Sequence, residues 1–157
     1  MMQKNKSPNA NAIKLPDKVI PEADRATLGR MFDSMENDVE LHLYAEDGPE
    51  DVLVLFNLQL ANELSECSSK IKPVRHTEAE SKALPGLPQR PLLTVKAVDA
   101  DHPVLHLIGA PLGREAKSLV KAIMLAGNND SELSAAAREH VVQLKEKRDI
   151  KVFGAGT

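Results

Sequence analysis

A chain of 157 residues accommodates one domain with flexible ends, and its 42% hydrophobic content suffices for a real core. Aromatics are only 3%, with no tryptophan, so the core must be aliphatic, and the exposed rings that stack nucleobases are scarce. Twenty basic against twenty-three acidic residues leave a net charge of −3 and no dense Lys/Arg run, which argues against nucleic-acid binding. No apolar run is long enough to cross a bilayer, and the opening MMQKNKSPNANAIK has no signal-peptide core. The single cysteine, Cys67, suits a reducing compartment, and a cytoplasmic location is expected.

Residues 1–20 are expected to form a polar, disordered tail, followed by a domain over 21–148. Pro21 suits an early helical position, and Leu28, Met31, Phe32 and Met35 recur at helical spacing. Val39 to Glu46 alternates and reads as a strand, closed by a turn at Asp47-Gly48-Pro49. From Glu50 to about Ser69 the apolar residues crowd most of a helix surface, which calls for burial or a partner. Ile71 to Glu78 reads as a second strand, placed at an edge by Pro73. After a polar, Pro-rich loop, Pro91–Val98 and Pro103–Gly109 read as an antiparallel hairpin. GAPLGREAKSLVKAIMLAG then switches to a helical period, and a further helix is expected from Ser131 to about Arg148. This order implies an α/β fold with a central mixed four-stranded sheet flanked by helices.

Chemistry-bearing motifs are few. His102 and His106 are roughly 13 Å apart if both lie on one strand, too far to share an ion. His42, His76 and His140 are scattered along the chain and read as surface or sheet-face residues, so no metal site is expected. No Gly-rich phosphate loop or serine nucleophile elbow is present, and no cofactor is expected.

The stretch LIGAPLGREAKSLVKAIM resembles a segment in the N-terminal domain of the flavoprotein component of alkyl hydroperoxide reductases, and of the related protein disulfide oxidoreductases. The carriers are Gly109, Ala110, Pro111, Leu112, Gly113 and Glu115. LPQRPLLTV is similar to the loop-to-strand passage of that family, in which a cis proline lies beside the active site. The resemblance assigns that place to Pro91 and the preceding place to Arg90. Val39 to Glu66 resembles the first strand and the helix that carries CxxC. In all, the likeness runs from Val39 to Arg148 and implies a thioredoxin-like fold.

Aligned in this way, the CxxC positions hold Asp51-Val52-Leu53-Val54, none of them cysteine. The N-terminal half-domain of the reductase flavoproteins likewise lacks both cysteines, and residues 149–157 resemble the opening strand of a second unit. The resemblance therefore implies a non-catalytic thioredoxin-like domain that docks a redox protein or a second copy of itself. The binding positions it implies are Asp51, Arg90, Pro91 and Glu115. For both Asp51 and Glu115 the alternative role is a plain helix-terminus charge. Cys67 lies near the C-terminal end of its helix and reads as a packed apolar residue or, alternatively, as the nucleophile of a monothiol oxidoreductase, with Lys70 the nearest cation in sequence. A truncated remnant of a tandem-thioredoxin protein is the remaining alternative.

Overall fold

The computed structural model describes residues 15–45, 51–83, 91–146, 150 and 152. Its elements are α1 (Glu22–Asp33), β1 (Val39–Tyr44), α2 (Val52–Cys67), β2 (Ile71–Arg75), α3 (Glu78–Lys82), β3 (Leu92–Ala97), β4 (Leu105–Ile108), α4 (Arg114–Gly127) and α5 (Ala135–Val142).

The four strands form one sheet in the order β2-β1-β3-β4. β1 runs parallel to β2 and antiparallel to β3, which in turn pairs antiparallel with β4, so the sheet is mixed as expected. Pro73 lies on the outer strand, opposite Leu41, where its missing N–H costs no interior hydrogen bond. The alternation of β1 has its physical meaning in burial: Val39, Leu41 and Leu43 are enclosed, while Glu40, His42 and Tyr44 face the other way. The aliphatic core joins these to Leu60, Leu64, Leu93, Val95, Leu119 and Ile123, with Phe32 fully buried among them.

The N-terminal boundary differs from the expected one. Ile20 is buried, and the backbone N–H groups of Val19 and Ile20 each donate to the Glu63 carboxylate at 2.8 Å, which ties residues 19–20 to α2. Burial pushes the Glu63 carboxyl up, but these two N–H groups, Gln59 and Arg25 outweigh it and hold the group below the usual range. The segment read as a plain loop after β2 contains α3, whose capping box joins Thr77 and Glu80. The last helix begins at Ser134, not Ser131, because Asp130 takes the N–H groups of Ser131 and Glu132, and Glu132 has a φ of 52°. It ends at Val142, short of the expected Arg148. Met31, assigned to the apolar stripe of the first helix, is exposed.

α1 crosses α2 at a close approach: a β-carbon on Gly29 would lie 2.8 Å from the Cys67 carbonyl oxygen. Gly29→Ala gains about 0.5–1 kcal/mol in helix propensity but forces backbone apart at a cost of about 1–3 kcal/mol. A net loss of stability is therefore expected, read as a lower urea midpoint with an unchanged m-value.

Candidate functional site

Asp51 is the N-cap of α2. Its side chain accepts from the Leu53 N–H at 2.8 Å, and the residue is exposed. The carboxylate therefore sits where a helix N-terminus stabilises negative charge, and it satisfies one of the orphan N–H groups of the first turn. The next turns are apolar but incompletely covered: Val52, Val54, Leu55 and Phe56 are half-buried and Leu53 is exposed.

One polar side chain interrupts that apolar run. Asn57 is fully buried, and its Nδ2 donates to the Gly109 carbonyl at 2.7 Å, while its Oδ1 has no partner among the described residues. The Gly109 N–H in turn donates to the Pro91 carbonyl at 2.9 Å. Two hydrogen bonds thus connect the interior of α2, the end of β4 and the start of β3. Pro91 itself is buried; Arg90 lies outside the described residues.

The link from β4 to α4 explains the GAPLG spelling. Gly109 has φ 90° and Gly113, the N-cap of α4, has φ 55° with ψ −114°, backbone states that suit glycine, and Pro111 is buried between them. Glu115 follows in the first turn of α4, exposed, as an acidic group at a helix N-terminus that lacks a side-chain cap. The structure thus bonds Gly109 both to Pro91 and to Asn57, a residue that sequence reasoning missed. It places Asp51 and Glu115 on two separate helix N-termini.

The same link forms one wall of an apolar cavity of about 510 Å³. Pro111, Leu112 and Val120 face Ile20, Leu28 and Phe56 across it, and Asp24 and Lys117 also line it. Its size and lining fall within the range of ligand pockets.

Cys67 is the last residue of α2 and is half-buried. Burial pushes its thiol up, with Arg25 pulling the other way and Glu66 and Glu63 adding to the rise. The cation that acts on the thiol is therefore Arg25 of α1. Lys70, its neighbour in sequence, donates instead to the Met35 carbonyl at 2.6 Å. A thiol kept protonated at a helix C-terminus is a poor nucleophile.

Asn57→Asp tests the buried junction. The new carboxyl faces the Gly109 carbonyl, so its charged form is penalised in the fold and its folded pKa is raised. Stability is then expected to fall as pH rises through and above the normal carboxylate range. The loss should be larger at pH 7 than at pH 4.5, read as a urea midpoint difference against the unsubstituted chain at each pH.

No protein-family model matches the sequence, and no curated protein sequence matches it significantly. Solved structures do match. The alkylhydroperoxide reductase protein AhpF of Enterococcus faecalis superposes with a TM-score of 0.68 at 22% identity, covering 80% of this chain and 61% of that one. The NTD_N/C domain of the same organism's AhpF gives 0.65 at 21% identity, covering 81% and 62%. A protein disulfide oxidoreductase from Aeropyrum pernix gives 0.62 at 22% identity, covering 80% and 55%. The chain thus spans less than two thirds of the length of each of these chains. Among the described residues no helix is long and apolar enough to cross a membrane. A mixed sheet of order β2-β1-β3-β4 flanked by helices, together with these neighbours, makes this a domain of thioredoxin-like fold.

Proposed function

We propose that this domain is a non-catalytic docking module of thiol-based redox metabolism, working in the cytoplasm, whose partner is a redox protein. Asp51 carries the reading. Dithiol–disulfide exchange needs a thiolate at the helix N-terminus and a second thiol to resolve the mixed disulfide. Here the α2 N-cap is a carboxylate engaged with the Leu53 N–H, and the sequence has one cysteine, at the opposite end of that helix. A carboxylate keeps the charge and surrenders the electron chemistry.

The docking surface in this proposal joins the Pro91 end of β3 to the half-covered apolar turns of α2, with Glu115 supplying charge and Arg90, which lies outside the described residues, entering only as the residue before Pro91 in the sequence. Exposed Leu53 and half-buried Val54 support it, because apolar surface beside a polar rim suits a protein contact. Within the same proposal, the sequence of residues 149–157 resembles the opening strand of a second unit.

An insulin-reduction assay with dithiothreitol separates docking from turnover. The expected rate equals the reductant background and does not change with Cys67→Ser; Cys67-dependent turnover would establish the monothiol enzyme instead. Capture on the immobilised chain, compared with Pro91→Ala, tests the surface. A dithiol protein retained by the first and lost from the second is expected, and identical capture would move the contact elsewhere.

A further inference from the structure

On the face of β1 opposite Leu41, Glu40, His42 and Tyr44 meet His76, which follows β2, and Glu80 of α3. His42 Nδ1 lies 2.8 Å from His76 Nε2, and His42 Nε2 lies 2.9 Å from Glu40 Oε2. His76 Nδ1 faces Glu80 Oε2 at 3.6 Å. Tyr44 stacks on the His76 ring with centroids 4.0 Å apart, and only 14% of the His42 side chain and 17% of that of His76 are exposed. Two histidines 34 residues apart in sequence are thus neighbours, because β1 and β2 run parallel with His42 opposite Val74.

Counting hydrogens assigns the protons. Two bare nitrogens repel at this distance and two protonated ones clash, so one hydrogen lies between His42 and His76. Ionised Glu40 only accepts, so His42 Nε2 carries hydrogen. A neutral His42 then has a bare Nδ1, and the hydrogen in the contact belongs to His76 Nε2. His76 Nδ1 is left bare, facing Glu80. The first added proton goes there and forms an ion pair without disturbing the chain. A second must go to His42 Nδ1, which turns the acceptor into a donor, breaks the contact and sets two imidazolium ions side by side.

We propose that His42 and His76 form a two-step proton clasp between β1 and α3, kept closed through the first added proton and opened by the second. Among the described residues other charges lie nearby, Arg75 on β2 included. Lys72 and Lys96 flank Glu40 in register, Lys72 pairing with Asp38 at 3.5 Å. Thr94, opposite His42 on β3, bonds His106 at 2.8 Å, and the Glu78–Lys82 pair stays within α3. The Thr77 N–H and then its hydroxyl hold the Glu80 carboxyl below the usual range, so it is ionised when the first proton arrives. Burial and then His42 hold the His76 imidazole below its usual value, with Glu80 opposing. A histidine depressed in the fold binds its proton better in the unfolded chain, so stability falls as pH drops through that step. The clasp joins the strand that leads to Asp51 with the helix that precedes Pro91, so acid would loosen the roots of both.

Long-range imidazole ¹⁵N NMR of the full chain across pH 4 to 9 reads the clasp directly. The expected result is Nε2–H tautomers on both rings when neutral, and two protonation steps separated by more than about one pH unit. In His42→Gln, His76 should titrate in one step at higher pH. Amide exchange of α3 should accelerate below the lower step in the unsubstituted chain. Independent, overlapping titrations, a bare Nε2 on neutral His42, or α3 exchange indifferent to the lower step would overturn the proposal.

Discussion

A single buried amide holds the candidate site together. Asn57 stands in a helix otherwise built of leucine, valine and phenylalanine, and a polar group there is tolerable only if it is hydrogen-bonded. Its partner is the backbone of Gly109, which is itself bonded to Pro91. That pair of bonds sets how closely α2 approaches the ends of β3 and β4, and so where the α2 N-terminus stands relative to Pro91. The positive φ at Gly109 lets its N–H and carbonyl serve both neighbours while the chain turns toward α4.

A second buried polar group governs the other side of α2. The Glu63 carboxylate, only 6% exposed, gathers the N–H groups of Val19 and Ile20, the Gln59 amide and Arg25. Breaking such an arrangement leaves an unpaired buried charge, the costliest kind of deletion in a core. It brings Ile20 and the start of α1 over α2, and the apolar cavity lies between them and α4. Both anchors act on one helix, whose N-terminus carries a carboxylate and whose C-terminus carries a thiol that burial keeps protonated. The polar chemistry of α2 therefore goes into positioning.

Much of the fold was legible because period-two and period-3.6 patterns survive in an aliphatic sequence. Val39, Leu41 and Leu43 declared β1, and Pro73 declared an edge. The errors have physical causes. α3 has no apolar face, so its only signal was Thr77 spaced three residues from Glu80, the capping-box signature. Ser131 and Ser134 are equivalent as caps in sequence, and only the turn around Asp130 decides between them. Asn57 and Glu63 drew no reading of their own, since burial partners 43 or 52 residues away leave no local trace. The histidines looked scattered because strand pairing, invisible in composition, brings two of them into contact. At the site, Asp51 and Glu115 occupy helix N-termini as their positions suggested.

The proposed function requires that the α2 N-terminus at Asp51 correspond to the position where dithiol relatives hold their first cysteine. The direct measurement is to install Asp51→Cys and Val54→Cys together in a Cys67→Ser background and follow the thiols. A retained frame predicts a reversible intramolecular disulfide and a thiol at position 51 titrating clearly below the ordinary cysteine value of about 8.5. A pair that does not close, or a position-51 thiol with an ordinary or raised titration, would contradict it.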